Sequence, residues 1–224
     1  HTLEGLDNAD IMTRLGLPNQ HPEGLFYPDT YFFPKGTTDL AFLQRAYEMM
    51  QVELNAAWDK RSSDLPLKKP YEALILASIV EKETAKAQER PMIAGVFIRR
   101  LKTGMRLQTD PTVIYALGTA FDGNIRKDDL NVDSPYNTYR NKGLPPTPIA
   151  LPGRDALLEP PSNLQAVSHS ILSLKAMAAT IFRVRYLNMN VRCLNISLKT
   201  KPRNAIRNCP NRAVTYSRNP VKIS

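Results

Sequence analysis

The segment from Pro70 to Ala85 (Pro-Tyr-Glu-Ala-Leu-Ile-Leu-Ala-Ser-Ile-Val-Glu-Lys-Glu-Thr-Ala) limits the fold more than any other. Its centre is apolar at every helical angle, and Glu81, Lys82 and Glu83 crowd its C-terminal end. A helix with no polar face has to be surrounded, so the chain is expected to build a core around this one. Pro70 suits its start.

The flanking segments supply the elements to wrap it. Thr37-Thr38-Asp39 reads as an N-cap before the run Leu40, Leu43, Ala46, Tyr47 and Met50, a one-faced helix continuing to about Trp58. Pro91, placed at a first helical position, opens Met92, Ile93, Val96, Phe97, Ile98 and Leu101, with a stop at Gly104. Residues 22 to 34 mix turn formers with aromatics and predict an ordered loop with a short strand. Residues 105 to 118 read as a loop feeding a short helix, followed by a Pro-, Asn- and Tyr-rich stretch through Gly153. Loops of that length and composition point to a binding surface.

Charge divides the chain. Residues 1 to 157 carry 19 Lys and Arg against 20 Asp and Glu, whereas residues 158 to 224 carry 11 against Glu159 alone. All 10 glycines precede that boundary, and both cysteines, Cys193 and Cys209, follow it. The net charge of +9 is therefore a property of the tail and does not make the first part a nucleic-acid binder. In the tail the cations are scattered singly, unlike a basic arm. The two cysteines match no zinc or redox spacing. No stretch reaches the roughly 18 to 20 apolar residues of a membrane span. Starting without Met, the chain is expected to be an N-terminally truncated fragment.

Glu83 is the outstanding candidate for chemistry. A carboxyl group at the end of a buried helix is poorly solvated and sits at the negative end of the helix dipole, and both effects oppose ionisation. That is the property a general acid needs near neutral pH. The plainer reading is a solvated helix end paired with Lys82, Lys86 or Arg90. Asp110 has two readings as well: a second carboxylate of a glycoside hydrolase, or an N-cap with Pro111 at the first helical position, of which the cap is favoured. Gln108, Thr112 and Tyr115 are candidate hydrogen-bonding groups for a polar ligand. Tyr136, Asn137, Thr138 and Tyr139 offer the mix of aromatic and amide groups that holds sugars. Arg90, Arg99 and Arg100 are candidates for substrate carboxylates, or for complementing helix ends.

Six strings occur in order: Glu23-Gly-Leu-Phe-Tyr-Pro-Asp-Thr30, Ala77-Ser-Ile-Val-Glu-Lys-Glu-Thr84, Val96-Phe-Ile-Arg-Arg-Leu101, Gly104-Met-Arg-Leu-Gln-Thr-Asp-Pro-Thr-Val-Ile-Tyr115, Ser134-Pro-Tyr-Asn-Thr-Tyr139 and Gly143-Leu-Pro-Pro-Thr-Pro-Ile149. With them the first 157 residues resemble the catalytic domain of the MltG-type (YceG-like) endolytic murein transglycosylases. The resemblance implies an α+β, mainly helical domain with a lysozyme-like placement of a catalytic Glu at a helix C-terminus. It assigns catalysis to Glu83 and not Glu81, and it would make the polar ligand of Gln108, Thr112 and Tyr115 the acetamido and hydroxyl groups of a glycan. It implies non-hydrolytic cleavage of the β-1,4 bond between N-acetylmuramic acid and N-acetylglucosamine, leaving 1,6-anhydromuramoyl ends, with no metal or cofactor. The implied partners are peptidoglycan glycan strands and peptidoglycan synthases, without nucleic acid. The implied site faces outward from the bacterial cytoplasmic membrane, held by an N-terminal anchor missing here. Family members usually have Asn where this chain has Arg99.

The resemblance stops after Leu157, where relatives continue into a Tyr-, Phe- and Gly-rich strand segment. Reading residues 169 to 184 one nucleotide back, with an allowed choice of codons, gives Phe-Tyr-Phe-Val-Ala-Lys-Gly-Asp-Gly-Ser-His-Tyr-Phe-Ser-Arg, which is similar to that segment. Residues 158 to 224 are thus expected to be an out-of-frame, poorly ordered tail. Rival readings are a glycan-binding module without catalysis and a pyridoxal-phosphate aminodeoxychorismate lyase, the latter lacking a recognisable cofactor lysine.

Overall fold

The computed structural model describes residues 3 to 157; the expectations for the tail lie outside them. The described part is mainly helical: α1 (Asn8–Arg14), α2 (Asp39–Asp59), α3 (Pro70–Glu83), α4 (Arg90–Lys102), α5 (Asp110–Leu117) and α6 (Arg154–Leu157). Short 3-10 turns occupy Ala87–Glu89, Gly118–Ala120 and Asp129–Asn131. None of these helices is long and apolar enough to cross a membrane.

Helix α3 is the axis of the fold. Every residue from Leu74 to Val80 is buried, because α2, α4, α5 and α6 all pack against it. The central cluster joins Leu76, Ile79 and Val80 to Ile93, Phe97 and Ile98 of α4, and to Leu107 and Ile149 from loops. Burying each large side chain there contributes about 1.5 to 3 kcal/mol. Helix α2 buries Leu43, Ala46, Met50 and Leu54, one face at helical spacing. Thr38 caps it, accepting from the Ala41 amide at 3.1 Å.

Two expected helix starts shift by one residue. Helix α4 begins at Arg90, with Pro91 second. Helix α5 begins at Asp110, with Thr109 at the N-cap. The α+β expectation is met only in its helical part, since there is no strand among the described residues. Residues 22 to 34 run as irregular chain. Pro22, Pro28 and Pro34 offer no ladder donor, and the Tyr27 amide donates instead to the Ala46 carbonyl of α2 at 3.0 Å.

Two loops are clamped to this framework. Gly24 has φ +83°, and a Cβ there would stand 2.4 Å from Pro148 Cβ, so only glycine allows this crossing. One residue further on, the Ile149 amide donates to the buried Ser78 Oγ of α3 at 3.0 Å, while Ser78 donates to the Ile75 carbonyl at 2.7 Å. Replacing Ser78 with Ala is expected to strand the Ile149 amide and cost about 1 to 3 kcal/mol, read by denaturant unfolding. An unchanged midpoint would mean that the hydroxyl does not tether this loop.

Candidate active site

Glu83 is the last residue of α3, and Thr84 turns the chain into extended backbone (φ −146°, ψ 140°). Burial holds the Glu83 carboxyl above the ordinary glutamate range. A hydrogen bond from Thr109 and the charge of Arg100 oppose this, while the nearby Asp110 reinforces it. Thr109 Oγ1 donates to Glu83 Oε2 at 2.7 Å.

Glu81 stands differently. Its carboxylate accepts from Arg90 Nη2 at 2.8 Å and from the Gly153 amide at 3.1 Å. Arg90 is buried between Glu81 and Asp155, the latter at 3.8 Å. Arg90 therefore locks α4 and the start of α6 to α3, which corrects the expectation that it meets a substrate carboxylate. Lys86 pairs with Glu89 at 2.9 Å. Of the three partners in the plainer reading of Glu83, Lys82, Lys86 and Arg90, the last two are engaged with Glu89 and Glu81.

The loop from Ser134 to Tyr139 folds under α5. Thr112 Oγ1 and Thr138 Oγ1 lie 2.8 Å apart, the Thr109 amide donates to Thr138 Oγ1 at 3.1 Å, and Thr112 Oγ1 donates to the Thr109 carbonyl at 2.7 Å. Asn137 Nδ2 donates to the Leu130 and Val132 carbonyls at 3.0 and 2.8 Å, and its Oδ1 accepts from the Tyr139 amide at 3.0 Å. Thr112, Asn137 and Thr138 are at most 1% exposed. The sequence makes all three candidates for contact with sugar, Thr112 with packing as an equal alternative. Here their polar groups are spent on internal partners, so they shape the loop from behind.

Closer to Glu83, the Tyr139 hydroxyl donates to Asp110 Oδ1 at 2.5 Å. Burial, then this carboxylate, raises the phenol above its ordinary range. Asp110 is thus held by a phenol, not spent as an N-cap. Arg100 Nη1 donates to the Leu107 carbonyl, which places its charge beside Glu83 and Tyr139. Gln108 is exposed and has φ +49°, a left-handed conformation that a non-glycine residue seldom adopts. Arg99 lies in the last turn of α4.

Tyr115 and Tyr136 form a second group. Their rings lie 4.9 Å apart, tilted by 50°, and the Tyr136 hydroxyl meets Thr147 Oγ1 at 2.7 Å. Burial raises the Tyr115 phenol, and the charge of Glu23 adds to it. Glu23 is itself raised by burial, an effect opposed by Lys82. Glu23 and Thr109 are the two site residues that the sequence reading did not single out. Thr109 carried a usable signal, as a hydroxyl residue before Asp-Pro where a helix begins. The partial burial of Glu23 had none.

The arrangement gives a desolvated carboxyl with one oxygen held and a second carboxylate held by the phenol of half-buried Tyr139. The YceG-like family matches residues 3–161. An endolytic murein transglycosylase of Bacillus subtilis (strain 168) is 42% identical over 137 residues, 60% of this chain and 37% of that protein. One from Streptococcus pneumoniae (strain ATCC BAA-255 / R6) is 37% identical over 160 residues, 69% of this chain and 28% of that protein. The chain thus spans about a third of the length of these relatives. The crystal structure of a YceG-like protein from Listeria monocytogenes aligns with a TM-score of 0.55 at 37% identity, covering 69% of this chain and 54% of that one.

Proposed function

The chain belongs to the YceG-like family, and from that premise we propose that it is the catalytic domain of an endolytic lytic transglycosylase acting on peptidoglycan, with Glu83 as both acid and base. One observation carries the reading: the Glu83 carboxyl, at the end of the most buried helix, is held above its ordinary range by burial while Thr109 fixes one of its oxygens.

A glycan strand crosses the end of α3 with the β-1,4 bond between N-acetylmuramic acid and N-acetylglucosamine over Glu83. Protonated Glu83 donates to the glycosidic oxygen, and the bond from that oxygen to the muramoyl anomeric carbon breaks. The departing sugar keeps the proton as its 4-hydroxyl. Positive charge develops at the anomeric carbon, and Asp110, steadied by Tyr139, favours it electrostatically. Glu83, now a carboxylate, takes the proton of the muramoyl 6-hydroxyl as that oxygen bonds to the anomeric carbon. The 1,6-anhydro ring closes, Glu83 returns protonated, and no water is consumed. Exposed Gln108, with Tyr115, Tyr136 and Tyr139, provides hydrogen-bonding and stacking groups along the strand, while Thr112, Asn137 and Thr138 hold the loop that carries Tyr136 and Tyr139. The lysozyme-like feature is this acid at a helix end.

The corresponding setting is the outer side of the bacterial cytoplasmic membrane, where new strands leave the peptidoglycan synthases. Mass spectrometry of glycan strands incubated with the chain tests the reaction. Internal cleavage leaving 1,6-anhydromuramoyl ends is expected. Ends heavier by one water would mean hydrolysis, and strands bound but uncut would mean a glycan-binding module.

A further inference from the structure

Resting on the reading of Glu83 as acid and base, we propose that Thr109 is its positioning residue: the Thr109 hydroxyl holds Oε2, so Oε1 is the oxygen that meets the glycosidic bond. A glutamate at a helix end has three rotatable bonds, and proton transfer requires a reacting oxygen within hydrogen-bond reach of its target. The bond from Thr109 Oγ1 to Oε2 at 2.7 Å removes much of that freedom. It also decides where the proton sits. An oxygen that already accepts a hydrogen bond is the poorer site for protonation, so the acid proton resides on Oε1.

Thr109 is built to be rigid. It is 2% exposed. Its amide is tied to Thr138 Oγ1 and its carbonyl to Thr112 Oγ1, two hydroxyls that also meet each other. The residue before it, Gln108, is held in the left-handed region with its amide donating to the Thr138 carbonyl at 3.1 Å. Such a conformation costs of order 1 kcal/mol or more and persists where surrounding contacts impose it. Here those contacts set the approach of Thr109 to Glu83, with Thr138 serving as the common anchor.

The test uses the full chain with Thr109→Val and Thr109→Ser. Two readouts are taken: kcat and KM for release of anhydro ends across pH, and a direct titration of the Glu83 side-chain carboxyl by carbon-13 NMR. With Thr109→Val, kcat is expected to fall about tenfold or more with KM within about twofold of wild type. The high-pH limb of activity should move upward, because the lost donor had favoured the carboxylate. Thr109→Ser should restore both. A kcat loss with an unmoved limb would reduce Thr109 to loop packing and overturn the proposal, as would wild-type kcat in Thr109→Val. If the wild-type chain releases no anhydro ends, the transglycosylase reading fails by itself. The NMR titration then still decides whether Thr109 holds Oε2: an upward displacement in Thr109→Val and not in Thr109→Ser supports it, and coincident curves overturn it.

Discussion

Replacing Glu83 with Gln is expected to lower release of anhydromuramoyl ends by roughly a thousandfold, while glycan binding stays within a few-fold. The amide keeps the shape and a carbonyl oxygen to accept from Thr109 Oγ1, but it has no proton to donate and cannot collect one from the 6-hydroxyl. In the proposed reaction one group serves both steps, so no remaining carboxylate restores either half. The same change should affect stability in the opposite direction. The folded-state pKa of Glu83 lies above its ordinary value, so the native state binds more protons than the unfolded chain between the two values. Stability therefore falls as pH rises through that window, and the penalty is complete above the folded pKa. Glu83→Gln removes a titrating group, so it should gain on wild type as pH rises from the ordinary carboxylate range and keep the advantage at neutral pH. Denaturant unfolding at pH 4 and pH 7 measures this; an advantage larger at pH 4 would contradict the placement of Glu83. Retained cleavage in Glu83→Gln would end its assignment as acid and base.

Asn137→Ala should be the most damaging change away from the carboxylates. Asn137 is fully buried and gives both amide hydrogens to the Leu130 and Val132 carbonyls while accepting from the Tyr139 amide. Truncation leaves three backbone groups without partners and costs about 3 kcal/mol, more than its small cavity would. The consequence reaches the site, since Tyr139 is the residue that holds Asp110. Activity should fall about tenfold or more even at temperatures where the variant is fully folded. Unfolding curves and kcat measured together check this. A variant as stable as wild type would show that the loop does not depend on Asn137, and lost stability with normal kcat would separate the loop from catalysis.

The helices were readable because their signals are local. An N-cap hydroxyl at Thr38, prolines at the starts of α3, α4 and α5, and apolar spacing along α2 and α4 each act within a turn or two, and the observed starts fall within one residue of the expected ones. Residues 22 to 34 show where that reasoning ends. Their aromatics suggested a strand, but a strand exists only if a partner accepts its backbone, and here a helix carbonyl takes the Tyr27 amide instead.

By itself the sequence determined that α3 would be enclosed and that a carboxylate would stand at its end, because a helix apolar on all sides has only its terminus at which to carry charge. Helical spacing alone did not separate Glu81 from Glu83; only the family resemblance favoured Glu83, and the physical difference between them is tertiary. Glu81 is taken by Arg90 and by the amide of Gly153, 72 residues away, while Glu83, two residues on, points toward Thr109. Nor could the sequence sort Tyr136, Asn137, Thr138 and Tyr139 into those that line the site and those that support it. Along a helix or strand a fixed period dictates which way each side chain faces. In an irregular loop that direction is set only by partners distant in the chain, such as Thr112 for Thr138 and Asp110 for Tyr139, and those come together only when the tertiary structure forms.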